Sequence, residues 1–529
     1  MRIRVLLLAC VSFAALLGAV PSAGAATAQI TAEQSLGPRV IELTISTPAF
    51  TGPTHVDVDL PVGYDSDPHR RWPVTYVLAG TMNTYATFNN FVGGVNLAQS
   101  YPSIIVSPNG DSGYWSDWYN GGAFGPPMYE SYVIDQLIPL IDQHFRTIPD
   151  RAARAVMGIS MGGDGAMMFA ARHPDLFADA ASLSGAVDTN LPYIAAAVTV
   201  SPEFQGAPAD SIYGPRSSQE VRWHGHNPTD LADNLRGLDL QVRTANGILA
   251  PQIGENPLSA DTVSCAVEQG VQQASLSLHA TLDALHIAHL WEDYGPGCHT
   301  PANFKREISD TFRVFATEFA HPPPAPVPFS YMAIDPSFDV WGWHIAADPQ
   351  RALEFMRLQD VSAGGLTLVG SGTTSVTTPP LFPGLHRVGL NGARQATAVP
   401  DRTGRITFGV DLGAPDAGQQ YTSGVATVTR SRAVSFAPYA VTRITRIRTG
   451  RHGLTVCARA IGGSIRARMR VLAAGHRAAL ALTRAVLTAR TGCRRLRIGR
   501  PPSSRRVTLQ ITGRDAFGHR STVRRRLRA

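Results

Sequence analysis

The chain has 529 residues, 44% of them hydrophobic and 16% charged, with a formal net charge of +7. This composition excludes a wholly disordered chain and leaves room for more than one folded core. The charge is unevenly spread: 24 of the 47 basic residues fall between Ser431 and Ala529 beside a single acid, Asp515, leaving 23 basic against 39 acidic residues before them.

Residues 1–25 read as a secretory signal peptide: Met1-Arg-Ile-Arg is a basic start, Val5 to Val20 an apolar run, and Ala23-Gly24-Ala25 a small-residue cleavage site. Export to the cell exterior or envelope is therefore expected. Cys10 leaves with that segment, and Cys265, Cys298, Cys457 and Cys493 remain, an even number for oxidising surroundings. Four cysteines allow three connectivities. Pairing Cys265 with Cys298 and Cys457 with Cys493 keeps each bridge inside one proposed domain.

Residues 26–320 alternate strand and helix patterns, which predicts an α/β domain. Strands are expected at Val40 to Ile45, Val56 to Leu60, Val74 to Leu78, Ile104 to Val106, Ala180 to Leu183 and Leu238 to Val242. One amphipathic helix is expected from Tyr129 to Phe145, with Val133, Leu137, Leu140 and Ile141 at helical spacing.

The most informative stretch is Gly158-Ile159-Ser160-Met161-Gly162. It matches G-x-S-x-G, in which a sharp strand-to-helix turn lifts a serine hydroxyl clear of a sheet. An apolar strand, Ala155 to Met157, leads in, and a helix-like run from Met161 to Arg172 leads out. A serine hydroxyl is a weak nucleophile near neutral pH, so it needs a histidine base and an acid that orients the base. In α/β-hydrolases these follow in the order Ser, acid, His. His299 fits, in the Gly/Pro-rich loop Tyr294 to Thr300 ahead of a helix from about Asn303 to Phe319. His286 and His289 lie among strand-like residues instead. Glu255, Asp261 and Glu268 are the acids available. The N–H of Met161 belongs to the oxyanion hole by its place after the nucleophile. Trp115, Trp118 and Tyr119, with Tyr114, offer aromatic surface for a substrate cleft.

These motifs, together with Ser116-Asp117-Trp118-Tyr119, Ala171-Arg172-His173-Pro174, Trp223 to Asp230 and Asn246-Gly247, make residues 40–320 resemble the α/β-hydrolases of the antigen 85 mycolyltransferase and esterase D group. The resemblance implies acyl-ester chemistry. It points to Glu268, 31 positions before His299, as the triad acid and to the N–H of Thr81 as the second oxyanion donor. The chain departs from the mycolyltransferases where Ala79 and Met82 replace an Asp and an Arg that help hold the sugar acceptor, and where Pro301 replaces a Trp. Hydrolysis is therefore favoured slightly over transfer to a sugar or glycerol hydroxyl. A non-catalytic wall-binding protein on the same scaffold is the rival from another class.

Residues 321–328 form a stiff proline linker, 329–437 a β-rich domain resembling a sandwich, and 438–529 an Arg-rich β domain. Strands are expected in the first at Leu366 to Val369, His386 to Val388, Ile406 to Phe408 and Val425 to Val428. In the second, Ile465 to Val471 alternates strictly and puts three arginines on one face. The basic tail suits an anionic wall polymer or a lipid surface; no aromatic platform accompanies the arginines, and nucleic acid is not expected. No cofactor is expected, and His224-Gly225-His226 is not read as a metal site.

Overall fold

The computed structural model describes residues 27–256, 262–385, 387–438, 441–450, 453–461, 465–473, 479–488, 490–497, 506–515 and 520–528. The signal segment 1–25, Asp261 and His386 lie outside them.

Nine strands form the sheet of the first domain: β1 Gln29–Gly37, β2 Val40–Ser46, β3 Thr54–Asp59, β4 Val74–Leu78, β5 Ile104–Pro108, β6 Arg154–Ile159, β7 Asp179–Leu183, β8 Asp239–Thr244 and β9 Leu290–Asp293. Their order is β1-β2-β3-β5-β4-β6-β7-β8-β9, with β1, β2 and β3 antiparallel and the run from β5 to β9 parallel. Helices on both faces make this the α/β-hydrolase architecture. Central strands β4 and β6 are buried along their whole length, which is why they read as mostly apolar runs. Alternation divides their side chains between two cores. Tyr76 and Val156 meet Phe169 of the helix Met161–Arg172 on one face, while Val77 and Met157 meet Phe304, Ile308, Phe312 and Phe315 of the helix Pro301–Glu318 on the other.

The single helix expected from Tyr129 to Phe145 is helical but not uniform. A π-helical turn, Tyr132–Leu137, separates Tyr129–Ser131 from Ile138–His144. Pro139 lacks the N–H that an α-helix needs there and its ring crowds the preceding turn, so the chain widens.

At the opposite ends of the parallel strands from the elbow, one carboxylate oxygen each of Asp179, Asp239 and Glu318 lies within 4.8 Å of the others. Burial first, and then the charge of Glu318, push Asp179 up to about 9; burial pushes Glu318 up to about 7, against a hydrogen bond with Asp179 that lowers it. The folded chain therefore keeps protons that the unfolded chain releases near pH 4, and stability falls as pH rises from about 4 to about 9. Asp179→Asn removes much of that loss. Thermal melts should show the variant more stable than wild type at pH 9, with the difference vanishing near pH 4.

Residues 329–438 build six-stranded and four-stranded antiparallel sheets around one core that joins Leu358, Leu368 and Val434 to Ile345, Val376 and Phe408. Val425 to Val428, expected as a strand, is irregular; Val428 N–H donates to the Asp416 carboxylate and the strand starts only at Arg430. Residues 441–528 build three-stranded and four-stranded sheets around Val456, Met469, Leu509 and Ile511. Both disulfides, Cys265–Cys298 and Cys457–Cys493, pair as the domain argument predicts. Among the described residues no helix is long and apolar enough to cross a membrane.

Candidate active site

Ser160 stands between β6 and its helix with φ 60° and ψ −121°, a conformation costly for any residue with a Cβ. Both motif glycines are required by close backbone contact. A Cβ on Gly158 would sit 2.0 Å from the Gly162 carbonyl oxygen, and one on Gly162 would sit 2.0 Å from that of Leu78. The loop after β4 lies against the turn, since a Cβ on Gly80 would meet the Ser160 Cβ at 3.2 Å. Met161 opens its helix, where an N–H has no partner within the helix, and Thr81 follows Gly80 in the facing loop.

Strands β6 to β9 are adjacent and parallel, so the residues just beyond their carboxyl ends share one edge, the usual place for a site in such sheets. Ser160 N–H donates to Leu183 O at 3.0 Å, and Ser184 N–H to Arg243 O at 2.8 Å. Glu268, fully buried on the helix Thr262–Ala284, reaches this edge. Its Oε1 accepts from Ser184 Oγ at 2.6 Å, Ala245 N–H at 2.8 Å and Thr244 Oγ at 3.2 Å, while its Oε2 lies 2.8 Å from His299 Nδ1. With Nδ1–H given to the carboxylate, His299 Nε2 is left as a base. The Cys265–Cys298 bridge and a His299 N–H bond to Ser264 O tie the histidine loop to the start of the acid helix.

Of the other acids, Glu255 is a structural clamp. Its carboxylate accepts from Cys298 N–H and Thr300 Oγ, one on each side of His299, and from Ala250 N–H. His289 bonds to His279 rather than to an acid of this edge.

Sequence reasoning misses a second carboxyl behind the pair. Glu307, fully buried, lies 2.9 Å from the same Ser184 Oγ. Burial, then the charge of Glu268, holds Glu307 well above the carboxylate range. A hydroxyl has one proton to give, so neutral Glu307 donates to Ser184 and Ser184 donates to Glu268. The available signal is a carboxylate on the apolar stripe of Phe304, Ile308 and Phe312. Glu307→Gln keeps a donor to Ser184 and should retain activity within a few-fold, whereas Glu307→Leu should lose up to about a hundredfold in kcat through misplacement of Glu268. Ester hydrolysis rates of the two variants check this.

The aromatic residues expected to line a substrate cleft are placed otherwise. Trp115 is fully buried; its indole N–H donates to Ala79 O and its ring covers Gly165, so it braces the loop after β4 against the helix Met161–Arg172. Trp118 is buried with its indole N–H on Gly113 O. Tyr119 and Trp118 border a cleft with Arg172 and Arg222, at the far end of a helix about 18 Å long. The reason is local: Tyr114 and Trp115 take positive φ, which turns their side chains inward. Beside the elbow itself lies a narrow apolar cleft lined by Leu78, Gly80, Tyr85, Phe91, Ile159 and Phe304. The edge of Phe304 meets the His299 ring at a centroid distance of 4.9 Å.

His224 and His226 do not converge. His224 pairs with Asp230 and Glu220, and His226 is buried with Nδ1 on Arg222 O.

Residues 47–309 match the model of the family described as "Putative esterase". That stretch of the chain belongs to the family. Esterase Rv1288 of Mycobacterium tuberculosis is 32% identical over 203 residues, covering 38% of this chain and 44% of that protein. A diacylglycerol acyltransferase/mycolyltransferase Ag85B of Mycobacterium avium is 30% identical over 136 residues, covering 25% and 40%. The chain thus spans less than half the length of these curated relatives. Among solved structures, MPT51 (FbpC1) of Mycobacterium tuberculosis aligns over 54% of this chain and 99% of its own, at 16% identity and a TM-score of 0.44.

Proposed function

We propose that this protein is an exported serine carboxylic-ester hydrolase working through an acyl-enzyme on Ser160. The observation that carries the reading is the buried Glu268 carboxylate at 2.8 Å from His299 Nδ1, on the strand edge where the Ser160 turn also stands. Ser160 Oγ attacks the acyl carbonyl while His299 Nε2 takes its proton. The N–H groups of Met161 and Thr81 stabilise the oxyanion, each donor worth about 3–4 kcal/mol in such sites. His299 then protonates the departing alkoxide, and water, deprotonated in turn by His299, frees the acid. The apolar cleft beside Ile159 and Phe304 suits an acyl chain.

Hydrolysis is favoured over acyl transfer by the loop after β4. Its Met82 side chain is 69% exposed, and its Ala79 has no side-chain donor, so neither offers a charged hold on a sugar or glycerol acceptor. Esters of the cell envelope are the proposed substrates.

Mass spectrometry after exposure to a p-nitrophenyl ester tests the reading. Transient acylation of the tryptic peptide containing Ser160 is the expected result. Acylation elsewhere, or turnover with no adduct at that peptide even under rapid acid quench, would overturn it.

A further inference from the structure

The four strands Ala479–Leu487, Ile465–Ala473, Arg506–Asp515 and Arg520–Arg528 lie side by side in that order, all antiparallel. One face is core: Ile465, Ala467, Met469, Val471, Leu509 and Ile511 are buried against the neighbouring sheet. The other face takes the alternate residues, and the register aligns them into rows. Arg470 stands beside Leu482 and Gln510, with Arg524 beyond. Arg468 stands opposite Arg484. Arg466 stands opposite Arg514, and Arg514 opposite Arg520. Thr508, Thr512, Thr522 and Arg526 fill the same face, and no outward position of the four strands carries Asp or Glu.

Such a sheet spaces its outward residues about 4.8 Å across strands and about 6.6 Å along them, giving a basic field of roughly 14 by 20 Å. Like charges directly opposite one another weaken a sheet. Arg466 beside Arg514 and Arg468 beside Arg484 therefore carry a repulsion that an anionic surface relieves, and planar guanidinium forks match phosphate oxygens. The second observation concerns the edge strand. Leu482 and Val486 flank Arg484 on this same outward face and are 51% and 62% exposed. A soluble polyanion has no use for two bare aliphatic side chains among arginines. A membrane does, because apolar groups enter the headgroup layer while neighbouring cations meet the phosphates.

We infer that this face docks on an anionic phospholipid surface, with Arg466, Arg468, Arg470, Arg484 and Arg514 taking lipid phosphates and Leu482 and Val486 entering the headgroup region. The inference is independent of the catalytic reading.

Co-sedimentation of the whole protein with vesicles tests it. Vesicles of equal parts phosphatidylcholine and phosphatidylglycerol should bind at least tenfold more tightly than phosphatidylcholine alone, and the difference should shrink as salt rises. Replacing Arg466, Arg468 and Arg470 together by Gln should weaken binding at least tenfold. The pair Leu482→Ser and Val486→Ser should weaken it several-fold. Every one of these substitutions is on the outward face, and an unchanged thermal melt confirms that the sheet is intact; Arg→Lys at the same three positions, which keeps the charge, serves where Gln lowers the melt and should retain most of the binding. Equal binding to both vesicle types, or no loss in the arginine and aliphatic variants, overturns the proposal. So does full displacement by soluble polyphosphate with no effect of the Ser pair, since the partner is then a free polyanion.

Discussion

Ser160→Ala is expected to lower kcat/KM for a soluble ester by about four to six orders of magnitude, as loss of the nucleophile does in serine hydrolases. The expectation is sharp because the fold has no stake in the hydroxyl. The backbone bonds at this position, from Ser160 N–H to Leu183 O and to Ser160 O from Gly163 and Ala186, survive the change. Alanine has the same Cβ as serine, so the cost of the positive φ is already included. Thermal melts should coincide with wild type. Equal rates in both proteins would place any activity elsewhere and favour a binding role for the scaffold.

Arg172→Met is expected to destabilise the protein by about 3–5 kcal/mol, the usual cost of leaving a buried charge without its partner. Arg172 closes the helix that Met161 opens and is only 8% exposed. Its Nε lies 2.7 Å from Glu130 Oε1, Nη1 donates to Gly225 O, and Nη2 meets Asp335 in the turn between the first two strands of the following domain. Burial alone pushes the Glu130 carboxyl up, but the Arg172 charge, helped by His173 and His226, outweighs it and holds Glu130 well below the carboxylate range. Methionine fills the space and removes the guanidinium, leaving that carboxylate with His173 Nε2 at 2.8 Å from the same oxygen. Calorimetry should show a lowered melting temperature, and adding Glu130→Gln should restore part of the loss, because the second change removes the uncompensated charge. An unchanged melt in Arg172→Met would mean that His173 compensates the Glu130 charge without the guanidinium.

Some of this was legible in the chain because it is local. The elbow is a five-residue event, and the steric need for Gly158 comes from Gly162 four residues on, although that for Gly162 comes from Leu78 on another strand. The disulfide pairing followed from keeping each bridge within one domain. Glu268, by contrast, was told from Glu255 only by the family resemblance and the spacing it implies, not by residue type. Both are buried, both lie before His299, and only the packing shows that one meets the imidazole while the other clamps the backbone around it. The place of the tryptophans was hidden in the sequence for a related reason. An aromatic cluster marks a surface or a core equally well, and the positive-φ turns at Tyr114 and Trp115 decide the direction in which the side chains point.

The amino-acid order by itself determined the α/β frame, the serine turn and the histidine loop, since hydrophobic period and glycine placement act over a few residues. Which carboxylate meets His299, that Glu307 stands behind it, and that arginines from separate strands align on one face were decided only by tertiary structure. Those relations depend on helix placement and strand register, and both are set by packing between segments far apart in the chain.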